Sequence, residues 1–101
     1  MLRVKVHRAY RKIVAISDSE LLGKKFVENN MQLDINKEFY GGDELEEEKA
    51  LEIIKIEDAD DATFNIVGEK SIQAAVKAGI IKDEKGSILK IQGIPHALGL
   101  F

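Results

Sequence analysis

Two short runs keep strict period-two alternation, and they limit what class of fold this chain can reach. Leu2, Val4 and Val6 alternate with Arg3, Lys5 and His7; Met31, Leu33 and Ile35 alternate with Gln32, Asp34 and Asn36. Successive strand side chains point to opposite faces, so each run reads as a strand with one buried and one wet face. Fully parallel sheets are covered on both faces and rarely contain such strands. The pattern therefore favours a sheet that is largely antiparallel or mixed.

Residues 13–16 form a second strand, paired with the first as a hairpin across the basic stretch 8–12. Ser17 with Glu20 fits a capping box, with Asp18 as a competing cap, so a helix is expected from residue 17 to a stop at Asn29-Asn30. Asp43 with Glu46 opens a second helix running to about residue 56, followed by a polar break over 57–61. A strand over 63–67 feeds a third helix over 68–78, with Gly79 as its stop. A turn over 83–86, a strand over 88–91, a tight turn over 92–97 and a last strand over 97–101 complete the order β-β-α-β-α-β-α-β-β. The expected architecture is one α+β domain spanning 1–101, with about three helices packed on one side of the sheet.

Composition narrows the function classes. A chain of 101 residues with 45% apolar and 33% charged side chains builds one soluble core. No apolar run approaches the ~20 residues that cross a bilayer, and the alternating N-terminus does not read as a signal peptide. The absence of cysteine removes disulfides, cysteine-ligated zinc, iron–sulfur centres and thiol nucleophiles, and makes a cytoplasmic location the default. Twelve lysines beside many glutamates and isoleucines match a bias common in proteins from hot environments. Net charge is −3, yet residues 1–17 contain no acid, while residues 43–61 hold ten acids against Lys49 and Lys55. A positive end and a negative face follow.

Three compact stretches stand out as places for chemistry. Tyr40-Gly41-Gly42 offers backbone freedom beside an aromatic; the plain alternative is a strand-to-helix turn. Asn65-Ile66-Val67-Gly68-Glu69-Lys70-Ser71 runs from strand to helix, where free N–H groups attract phosphate or carboxylate. It lacks the first glycine and the Gly-Lys-Ser order of a P-loop, and Glu69 opposes an anion. Gly93, Pro95 and His96 form the third. Pro95 fixes its own φ and biases Ile94 towards extended geometry, so the turn is expected to present His96. His96 is the only catalytic candidate, with no partner for acid–base work; whether Ile94–Pro95 is cis is open. No metal set or cofactor fingerprint is present: two histidines without cysteine make zinc demanding, and the acids over 57–61 read as a solvated loop. Catalytic motifs such as Gly-x-Ser-x-Gly are absent.

The basic hairpin is the strongest binding surface in the sequence. Arg3, Lys5 and His7 share a strand face, and Arg8, Tyr10, Arg11 and Lys12 extend it, which suits a phosphate backbone with a stacked base. Cations on a solvated edge strand are the alternative.

Taken jointly, the segments ELLGKKF (20–26), EFYGG (38–42), NIVGEKS (65–71) and GIPHA (93–97) resemble the archaeal family called domain of unknown function 424. The resemblance implies an archaeal, cytoplasmic, single-domain protein and carries no activity, cofactor or catalytic residue with it. Three functions are expected in order: an RNA- or ribonucleoprotein-binding module using the basic hairpin; a small-anion site joining Tyr40, Asn65, Gly68–Ser71 and His96; and an adaptor whose acidic helix docks a basic protein. No membrane contact is expected, and the oligomeric state is open.

Overall fold

The computed structural model describes residues 1–81 and 88–100. The turn expected over 83–86 lies outside them, as does Phe101. Strand β1 (Leu2–His7) pairs antiparallel with β2 (Ile13–Asp18), as the alternation predicts. After a single 3₁₀ turn at Ser19–Leu21 come β3 (Lys25–Glu28) and β4 (Met31–Asp34), then the short helix α1 (Lys37–Tyr40) and β5 (Asp43–Leu45). The second half holds α2 (Glu47–Ala59), β6 (Thr63–Val67), α3 (Glu69–Lys77), β7 (Leu89–Ile91) and β8 (Ile94–Leu100). The main sheet has six strands in the order β5-β1-β2-β6-β8-β7, and β3-β4 form a separate pair. Only β2 and β6 run parallel among the described strands, so the sheet is mixed and the fold is α+β.

Strand alternation sends side chains into two cores. Val14 and Ile16 of β2 join Phe64, Ile66, Ala50, Ile54 and Ala75 under α2 and α3. Ala15 joins Val67, Leu21, Leu33, Ile35 and Tyr40 on the opposite face. The two longer helices share one side, as expected, whereas α1, the 3₁₀ turn and the β3-β4 hairpin cover the other. A sheet closed on both faces leaves β2 buried along nearly its whole length.

Three element assignments change. The helix expected over 17–30 is absent: Ser17 and Asp18 complete β2, and Asn29-Asn30 is a hairpin turn rather than a helix stop. Asn29 sits at φ 55, the left-handed geometry asparagine tolerates. Gly23, at φ 87, is bonded N–H to Ile35 O, and Ile35 N–H returns to Lys24 O, which closes that segment as an extended loop. The helix expected from Asp43 starts at Glu47, because Asp43–Leu45 pairs instead with the free edge of β1. Finally, the C-terminal turn is only Gln92-Gly93, both at positive φ, so Pro95 and His96 already lie in β8. The Ile94–Pro95 bond is trans.

Tyr40 is 5% exposed, and burial pushes its hydroxyl pKa up from 10.0 to about 12. The unfolded chain therefore loses this proton first. Above pH 10 the unfolded state binds fewer protons than the folded one, so stability falls as pH rises towards 12. Denaturant titrations across that range should show this slope in the native chain and its loss in Tyr40→Phe. A slope unchanged by the substitution would assign it to other groups.

Candidate functional site

Two of the three stretches meet. A cleft of about 240 Å³ opens between the start of α3 and the β7-β8 turn. Leu21, Ile94 and Pro95 give it apolar walls, Gly68 and Gly93 contribute backbone, and Asp18, Glu20, Glu69 and Lys70 supply its charge. Gly68 N–H donates to Pro95 O at 2.8 Å, which ties the two segments together. Tyr40, Gly41 and Gly42 do not line this cleft, and neither does His96.

The start of α3 already holds an anion, and it is the protein's own. Asp18 Oδ1 accepts from the Ser71 backbone N–H and from the Ser71 hydroxyl, both at 2.8 Å, and Oδ2 accepts from Lys70 N–H at 3.2 Å. Asp18 is 4% exposed. Two of the orphan amides that made this helix start a phosphate candidate, those of Lys70 and Ser71, are therefore satisfied from β2. Gly68 permits that approach: it sits at φ 106, and a Cβ there would lie 2.3 Å from the Asp18 carboxyl carbon. The remaining cleft carries three carboxylates against Lys70, whose Nζ is 3.6 Å from Glu20. Glu20 is held below the usual carboxylate range by its own backbone N–H, with Lys70 adding to the effect. Such a cleft repels the small anion that the sequence suggested.

The imidazole of His96 is not presented. His96 is 5% exposed, in register with Val67 on β6 and Leu89 on β7, and its Nδ1 has no protein hydrogen bond. Proline and histidine stand together as strand residues of the closed sheet, so the expected rigid display in a turn is corrected. Asn65 is used structurally as well: its Oδ1 accepts from Gly99 N–H at 2.7 Å, beside the irregularity in the β6-β8 pairing.

The basic face of β1 is largely engaged internally. Lys5 Nζ donates to Glu38 O at 2.6 Å, His7 Nε2 to Phe39 O at 2.8 Å, and Arg3 Nη1 to Gly42 O at 3.3 Å. Carbonyls at the end of a helix lack intrahelical partners, and cations are favourable there. The row Arg3-Lys5-His7 is thus the socket for α1, reinforced by His7 stacking on Phe39 with ring centroids 4.6 Å apart. Gly42 is needed because a Cβ would meet Val4 O at 1.9 Å. Lys12 is held by Glu57 at 2.7 Å and by Asp60, and these bonds raise its pKa while lowering that of Asp60. Arg8, Tyr10 and Arg11 lie at the β1-β2 apex with much of their surface exposed, and Arg11 also makes an interaction of its own.

Asp18 was missed as the organiser because its local sequence also fits a cap for its own segment. No local signal pairs residue 18 with residue 71; only the parallel β2-β6 register, with Ser17 beside Val67, brings them together.

Asp18→Ala should destabilise the fold by about 2 kcal/mol, through cap loss and an unpartnered Ser71. Gly68→Ala should do so by about 3 kcal/mol, from positive-φ strain plus the collision. In the double variant the collision is gone, so denaturant melts should give a combined loss smaller than the sum. Strict additivity would show that Gly68 is not there to admit Asp18.

Among the described residues, no helix is long and apolar enough to cross a membrane, and no group of three or more metal-ligating side chains is present. The fold is shared with a crystal structure of an uncharacterized conserved protein from Methanopyrus kandleri. The TM-score is 0.85 at 23% identity, over 98% of this chain and 90% of that one. No curated protein matches this chain. The family model described as "Protein of unknown function (DUF424)" matches residues 7–99, and the chain belongs to that family.

Proposed function

We propose that this chain is a non-catalytic RNA-binding module of the archaeal cytoplasm, and that its contact is the β1-β2 apex rather than the β1 strand face. The observation that carries this reading is Tyr10. It is 108% exposed, and it is the one exposed aromatic among the described residues. Arg8 and Arg11 flank it, both exposed. An exposed aromatic ring with arginines close by in the same loop offers stacking and phosphate contact. The base of the loop is anchored, since Thr63 N–H donates to Lys12 O at 2.9 Å and Lys12 is clamped to α2. Absence of cysteine supports the cytoplasmic location.

A second reading rests on α2. Ile56 is 66% exposed on this acid-rich helix, a combination that suits a basic protein partner with an apolar contact.

The two readings separate in a labelled-RNA titration at low salt. Replacing Arg8 and Tyr10 together with alanine should weaken binding about tenfold or more. Lys5→Ala, which loosens α1, should leave affinity unchanged once folding is verified. RNA affinity that follows Lys5 and ignores Tyr10 would contradict the apex as the contact. Capture of a nuclease-resistant protein partner, lost in Ile56→Asp, would favour α2.

A further inference from the structure

The charge around the apex restricts what kind of RNA fits it. At the foot of the loop, Lys12 is bound to Glu57 and Asp60, and Asp60 lies close enough to Arg8 to feel its charge. Asp58 and Asp61 are exposed at the same end of α2. Along β1 the next basic side chains, His7, Lys5 and Arg3, are turned onto backbone carbonyls of 38–42. The cationic area is therefore a point, bordered by carboxylates on one side and by engaged side chains on the other. A duplex presents two continuous rows of phosphates, and its second row would be set against the acidic end of α2. Its bases are also stacked on one another and closed to an incoming ring. A bulged or single-stranded nucleotide needs only a ring to stack on and one or two nearby cations.

Resting on the RNA-binding reading above, we infer that the apex around Arg8 and Tyr10 recognises unpaired nucleotides and discriminates against duplex RNA, with Tyr10 as the stacking platform. The ring is the working part, and the hydroxyl is dispensable. Contact with one or two phosphates sets the salt dependence: log affinity against log salt should have a slope between about −0.7 and −1.4.

The test uses the full chain with a mixed-sequence RNA strand and with the duplex that it forms with its complement. The chain has two tyrosines and no tryptophan, and Tyr40 is buried, so stacking on Tyr10 is read directly as quenched tyrosine emission. Affinity is followed separately by anisotropy of the labelled RNA. The inference requires that the strand binds with quenching and that the duplex binds about tenfold more weakly or worse. Tyr10→Phe should keep the strand affinity, and Tyr10→Leu should lose about tenfold. Because Tyr10 is outside the packed fold, both variants should melt like the native chain. Equal binding of strand and duplex, or affinity indifferent to Tyr10→Leu, would overturn the selectivity while leaving RNA binding in place. Failure to bind either RNA would overturn the underlying reading, and this inference with it.

Discussion

The carboxylate of Asp18 is the constraint around which this fold is arranged. It ends β2, accepts three hydrogen bonds from the first turn of α3, and lies against the backbone of Gly68. The parallel pairing of β2 with β6 delivers it there, since α3 follows β6 directly. A negative group at a helix N-terminus is stabilising, and a buried one has to be hydrogen-bonded. Both requirements are met by the same contacts. The consequence is functional as much as structural: a helix start that looks open to phosphate in the sequence is capped by Asp18, 53 positions before Ser71.

The same economy governs the N-terminal cations. Arg3, Lys5 and His7 alternate along β1 as a nucleic-acid face would, yet Lys5 and His7 donate to carbonyls of the short helix α1 and Arg3 to Gly42 O just beyond it. Lys12 is taken by α2. A basic count in the sequence overstates the basic surface of the molecule, because donors that satisfy orphan backbone groups are no longer offered outward.

Much of the architecture was legible where side-chain period alone decides. The β1 alternation, the strand Thr63–Val67 and the third helix with its Gly79 stop all stand as read. Misreadings fall where a local signal had two meanings. Ser17-Asp18 could cap its own helix or a distant one. Asn29-Asn30 could end a helix or turn a hairpin, and Asp43 could start a helix or pair with an edge strand. In each case a long-range partner chose, and single-chain propensity is weak beside strand pairing. Of the candidate site, Gly68, Glu69 and Lys70 share a cleft with Gly93 and Pro95, whereas Tyr40, Asn65 and His96, expected in the same pocket, do not line it, and the burial of His96 was not foreseen. Its turn proved two residues long, which moved the histidine into β8 and under the sheet cover.

Internal partners occupy the start of α3 and the β1 face, which leaves Tyr10 at the apex as the exposed aromatic contact among the described residues. Amide chemical-shift mapping of the labelled chain during titration with single-stranded RNA tests it most directly. Perturbations should concentrate over residues 8–12 and leave Lys70 and Ser71 in place. Shifts centred on Gly68–Ser71, or spread along Arg3 and Lys5 with the apex unmoved, would contradict it.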